Sequence, residues 1–112
     1  MKKLMLVLAL GVGLAVPLAA AETWKNVSLI DTNCVNKVKD DPDQHTTKCA
    51  ITCARSGYGI LTSDGSYLKF DKAGNEKALA ALKATKKADH LRATVTGERE
   101  GDNIKVQSLS LD

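Results

Sequence analysis

Aromatic side chains are nearly missing from this chain: one Trp, two Tyr and one Phe among 112 residues. A single-strand nucleic-acid surface needs several rings to stack bases, set in a basic groove. The groove is missing as well. Lys and Arg number 16 against 13 Asp and Glu. Lys2 and Lys3 lie in a leader-like segment, and without them the 16 fall to 14, a net charge of +1. That balance gives no electrostatic reason for a polyanionic partner, so no nucleic acid is expected. No glycine-rich phosphate loop is present. Ser, His and Asp occur without the spacing of a catalytic triad, and the chain is not expected to be an enzyme. Asp40-Asp41-Pro42-Asp43 lacks the glycine and closing Glu of an EF-hand loop and reads as a solvated turn. Cysteine is also scarce, at three residues, with no C-x2-C turn among them.

The first residues point to a compartment. MKKLMLVLALGVGLAVPLAAAETW starts with two lysines, continues with an uncharged apolar run to Val16, and passes through Pro17 to Ala19-Ala20-Ala21. A basic start, a short apolar stretch and a small-residue exit describe a cleavable secretory leader over residues 1–21. The run is shorter than the roughly 20 residues of a spanning helix, so no membrane span is expected. No cysteine follows the exit for lipidation. The expected location is periplasmic or secreted, which permits disulfides. Taking 21 from 112 leaves 91 residues, 22–112, enough for a single small domain. A domain of that size gains from a staple such as a disulfide or a metal.

Hydrophobic patterning orders the rest. Thr23 to Asp31 alternates Val27 and Leu29 with Asn26 and Ser28, a half-buried strand. A polar segment, TNCVNKVKDDPDQ, reads as a long loop. Thr46 or Thr47 then caps a short helix that ends near Gly57. YGILTSDGSYLKFD is a hairpin about Asp64-Gly65, a dipeptide suited to positive φ. NEKALAALKATKKADH is the main helix, with Asn75 as its expected N-cap and Ala78, Leu79 and Leu82 as its apolar stripe. His90, on the surface, introduces a second hairpin that turns at Gly101-Asp102-Asn103. The apolar phase switches between Val106 and Leu109, which predicts a bulge near Gln107 or Ser108. Trp24 reads as a barrel plug or lid, or as a ring that stacks on a ligand.

Five strands with a helix between the third and fourth is the order of an OB-like barrel. The expected fold is therefore mainly β: a five-stranded OB-like Greek-key barrel. A short cysteine-bearing helix lies between strands one and two, and a longer helix between strands three and four. The competing architecture is a ferredoxin-like α+β sandwich; the short first helix and the two-hairpin layout favour the barrel.

HTTKCAITCARSG carries the chemistry. His45, Cys49 and Cys53 stand at successive steps of four, and Cys34 lies upstream. Residues four apart share a helix face, so these three could line one stripe, with Cys34 arriving as a fourth ligand. Cys3His is a structural zinc set, and thiolates also select copper(I). The candidate metal ligands are Cys34, Cys49, Cys53 and His45, with zinc or copper as the ion. His45 precedes the Thr cap, where helical spacing no longer holds. In the alternative reading Cys34 makes a stapling disulfide with Cys49 or Cys53, because two cysteines four apart on a helix are poorly placed to bond each other. One thiol is then left for a protein partner or a homodimer. Thiol exchange is the third reading, although the C-x3-C spacing departs from thioredoxin-type C-x-x-C.

Ser28-Leu29-Ile30-Asp31-Thr32-Asn33-Cys34, Cys49-x3-Cys53-x3-Gly57, Thr94-Val95-Thr96-Gly97 and Asn103-Ile104-Lys105-Val106 together resemble a group of small secreted bacterial OB-like domains, largely uncharacterised. Their pattern runs D-x-x-C, then C-x3-C-x3-G, then V-x-G with a closing I-x-V strand. Where some members carry a His four residues after the first Cys, this chain has Val38. The resemblance implies export and a barrel, and no established activity. The expected function is an exported, non-enzymatic binding domain, holding a soft metal through the cysteine cluster. Its competitor is a structural or protein-interaction module in which the cysteines only staple the chain.

Overall fold

A computed structural model describes residues 20–112. The expected leader lies outside the described residues except for its last two. Five strands carry the fold: β1 (Glu22–Asp31), β2 (Tyr58–Leu61), β3 (Tyr67–Phe70), β4 (Arg92–Glu100) and β5 (Asn103–Leu111). They close into a barrel in the order β1-β2-β3-β5-β4, with β4 returning to β1. All pairings are antiparallel except β3 with β5. This is the OB-like order expected from the sequence, and the closure of β4 onto β1 excludes the open sandwich. Among the described residues no helix is long and apolar enough to cross a membrane.

β1 serves two neighbours. Glu22–Trp24 pair with β4 alone, while Ser28–Asp31 pair with β2. The ladder to β4 shifts between Trp24 and Val27, and Asn26 in that bulge takes a positive φ of 53°. Such a bulge sharpens the twist and lets one strand belong to both halves of a barrel. A second irregularity falls where the switch of apolar phase placed it. Thr96 faces Ser108 and Gly97 faces Val106, so Gln107 is the extra residue.

Three helices fill the connections: α1 (Val35–Val38), α2 (Thr47–Thr52) and α3 (Lys72–Ala84), with 3-10 turns at Pro42–Gln44 and Ala54–Ser56. The polar segment read as a continuous loop thus contains α1 and one 3-10 turn. Thr46 caps α2, its hydroxyl accepting from Cys49 N–H at 3.1 Å. For α3 the cap is Asp71, one turn ahead of the expected Asn75. Asp71 Oδ1 accepts from Gly74 N–H at 3.0 Å and from Val106 N–H at 3.2 Å, so one carboxylate satisfies an orphan helix donor and anchors the helix to β5. Asn75 lies inside the first turn, where its Oδ1 accepts from Tyr58 N–H at 2.8 Å and ties α3 to β2.

The barrel interior is aliphatic: Leu29, Ile60, Leu68, Leu91, Ala93, Val95 and Ile104 are all fully or nearly fully buried. The buried residues of α3 are Gly74, Ala78 and Leu82, with Leu79 packed beside them. Gly74 sets how closely the helix approaches. A Cβ there would lie 2.5 Å from Val106 Cγ2 and 2.8 Å from Phe70 Cβ. Replacing a helical Gly by Ala ordinarily gains about 1 kcal/mol of propensity, whereas overpacking costs about 1–3 kcal/mol. Packing outweighs propensity here. Gly74→Ala is expected to lower the midpoint of urea denaturation, and an unchanged or raised midpoint would show that α3 can lift away freely.

Candidate functional site

β1 ends at Asp31, which is fully buried and paired with Tyr58, the first residue of β2. Strand periodicity places Asp31 on the face of Leu29, so a carboxylate sits where the barrel core meets its rim. A buried carboxylate needs partners for its oxygens. Asp31 Oδ2 accepts from the backbone N–H of Cys34 at 3.1 Å, and Asp31 Oδ1 meets His45 Nε2 at 2.6 Å. The main-chain carbonyl of Asp31 also accepts from Cys34 N–H at 3.1 Å, closing a tight turn over Asp31–Cys34.

That turn aims Cys34. Its Sγ, a carboxylate oxygen of Asp31 and the Sγ of Cys53 all lie within 4.8 Å of one another. Cys53 comes from the C-terminal end of α2, where its N–H donates to Cys49 O at 3.1 Å. Asn33 Nδ2 donates to Cys53 Sγ at 3.6 Å, so the residue before Cys34 is tied to the end of α2. Cys34 and Cys53 are half-buried, and no disulfide joins any of the three cysteines. Burial first, then the Asp31 carboxylate and Cys53, push the Cys34 thiol up to about 11. At neutral pH Cys34 is a protonated thiol, the opposite of the depressed value that activates a redox nucleophile.

The four residues singled out in the sequence therefore separate. Cys34 and Cys53 converge. His45 is buried, but its ring contacts Asp31. Cys49 is exposed and stands outside the three-residue group. Helical spacing put Cys49 and Cys53 on one stripe, yet α2 ends at Thr52, and Cys53 leaves it with ψ of 24°. His45 precedes Thr46, the N-cap, and is extended, with ψ of 130°. The residue that sequence reasoning passed over is Asp31. The signal was present in the D-x-x-C spacing, since a carboxylate three residues before a backbone donor commonly closes a turn of this kind.

Two tyrosines surround the site. Tyr58 Oη donates to Ala50 O at 2.7 Å, fastening β2 to α2. Burial, with Asp31 and Cys53 nearby, pushes the Tyr58 hydroxyl up to about 12. Tyr67 Oη donates to Ile30 O at 2.8 Å and lies 3.1 Å from Thr32 Oγ1, and burial raises it as well. Neither ionises at neutral pH, so both tyrosines act here through their hydrogen bonds. Elsewhere His90 is exposed and paired with Asp89, as expected of a surface residue.

Compared with family models, with curated proteins and with solved structures, the chain matches none. The site thus rests on its own geometry.

Removing Asp31 should expose how much depends on it. Asp31→Ala leaves the buried His45 ring without its partner, a loss that costs about 1–3 kcal/mol. Asp31→Asn keeps the shape and removes the charge. In that variant the pH at which Cys34 becomes reactive toward iodoacetamide should move down from about 11, because a carboxylate no longer opposes ionisation. An alkylation profile that does not move would show that burial alone holds the thiol protonated.

Proposed function

We propose that this chain is an exported, non-enzymatic binding domain that holds a soft metal ion, zinc or copper(I), through Cys34 and Cys53 with Asp31 beside them. One observation carries the reading: two thiols from separate elements and one fully buried carboxylate lie within 4.8 Å of each other. Thiolates suit both ions, and a carboxylate oxygen suits zinc. Three protein ligands would leave a fourth tetrahedral position for water or a donor from a partner. In this reading His45 orients Asp31 through its 2.6 Å contact and does not itself reach the ion, the kind of outer support that tunes a metal ligand. Cys49 is the odd thiol, exposed and available to a protein partner or a second copy of the chain. The leader-like start and the resemblance to small secreted domains support export.

A second reading has its own support. A Cys34–Cys53 disulfide, with Cys49 left free, would need these two free thiols to close from within 4.8 Å to bonding distance. Closing a loop with 18 residues between the two cysteines would stabilise the domain by about 3 kcal/mol in the chain-entropy model. The domain would then be a structural or protein-interaction module.

Metal titration and thiol mass spectrometry separate the readings. The reduced protein should bind one equivalent of zinc or copper(I). Binding should be lost in Cys34→Ser and in Cys53→Ser, and kept in Cys49→Ser. A purified protein that is two hydrogens lighter than its reduced form, with a peptide linking Cys34 to Cys53, and that takes up neither metal after reduction would overturn the metal reading in favour of the staple.

A further inference from the structure

A second feature lies away from the cysteines. Where β1 parts from β2, a cleft of about 410 Å³ opens between the bulged half of β1 and the turn after β2. That volume falls within the roughly 300–1,000 Å³ usual for small-molecule sites. We propose that this cleft binds a neutral carbohydrate, a mono- or disaccharide presented to Trp24.

Three independent observations meet there. Trp24, the chain's single Trp, lines the cleft and is also packed against the barrel core, so its indole is a rigid wall. Aromatic faces of this kind cover the C–H face of a sugar ring while the ring's hydroxyls stay free for polar groups. Asn26 and Ser63 place an amide and a hydroxyl on the same lining, while the Thr62 hydroxyl is engaged within the turn by Asp64 Oδ1 and Ser66 O.

Next, the backbone of this wall is held in place. Asn26 has φ of 53°, the left-handed region that Asn enters more readily than other non-Gly residues and that the bulge in β1 calls for. Arg92 Nη1 donates to Asn26 O at 3.0 Å and clamps it.

The third observation concerns charge. Arg92, which also lines the cleft, spends its guanidinium on Asp43, with Nε to Oδ1 at 3.0 Å and Nη2 to Oδ2 at 3.1 Å. The ion pair fixes the cleft's architecture and neutralises its main cation. Lys25 is the other cation on the lining, and among the described residues no carboxylate lines it. A lining richer in polar groups than in apolar ones does not suit a greasy ligand, and with Arg92 already neutralised by Asp43 only Lys25 remains to draw an anion, the alternative that an acidic sugar tests.

Trp24 reports directly on the cleft, since no second indole contributes to the emission. The full protein would be titrated with glucose, N-acetylglucosamine, maltose and cellobiose, and with glucuronate as the acidic control, up to about 10 mM, the range of weak affinities. The expected result is a saturable change in Trp24 emission with at least one neutral sugar, matched by calorimetry. Ser63→Trp fills the cleft from an exposed turn without touching the core, and should weaken calorimetric binding at least tenfold. Trp24→Ala should do the same, and the turn variant guards against a core variant that merely unfolds. Saturation with no neutral sugar, binding of glucuronate alone, or affinity unchanged in a folded Ser63→Trp protein would each overturn the proposal. None of these outcomes depends on whether the cysteines hold a metal.

Discussion

A carboxylate placed fully inside a small protein constrains everything near it. Asp31 sits at the end of β1 with no exposure to solvent, so its oxygens must find donors within the chain. One donor is the backbone of Cys34, which bends the chain into a turn as it leaves the strand. The other is His45, which anchors the far end of the segment between β1 and α2. The path of some fifteen residues is thus pinned at both ends by one side chain. Cys34 owes its position to that turn. Tyr58, paired with Asp31 across the β1–β2 ladder, fastens α2 to the same corner through Ala50. Cys53 arrives with α2.

The barrel supplies the rigidity that makes such placement meaningful. β1 is the shared strand, paired with β4 at its start and β2 at its end, and its bulge lets it change partners. The same change of partners produces both features of interest. Where β1 pairs with β2, Asp31 meets the cysteine-bearing connection. Where β1 leaves β2, the cleft beside Trp24 opens. α3, clamped to β5 by Asp71 and to β2 by Asn75, packs beside α2 and buttresses the cysteine corner through Tyr58, while none of its residues lines the cleft.

Much of the strand order could be read along the chain. Alternation in β1 and β4, the Asp64-Gly65 turn and the phase switch around Gln107 are local signals, and local geometry bears them out. Caps were less legible. Asn75 is as good a capping residue as Asp71, and only the nearness of Val106 N–H makes Asp71 the better placed of the two. The cysteine segment shows the limit most clearly. A spacing of four joins Cys49 and Cys53 only while the helix lasts, and α2 stops one residue short of Cys53. His45 lay outside the helix by the reading of the cap, but nothing local named its partner, which is 14 residues upstream.

By itself, the sequence determined the kinds of groups available: three thiols, few rings, balanced charge, and five strands whose apolar faces had to close on one another. Those properties depend on composition and short-range periodicity, which any local window contains. Which groups meet was decided by the tertiary structure. Asp31, Cys34 and Cys53 share a corner because the barrel closes with β1 beside β2 and α2 packed over their junction, and Cys53 leaves the stripe it would share with exposed Cys49 because α2 ends at Thr52. Contacts of that kind depend on strand register and helix length to within one residue, and sequence spacing alone does not carry that resolution.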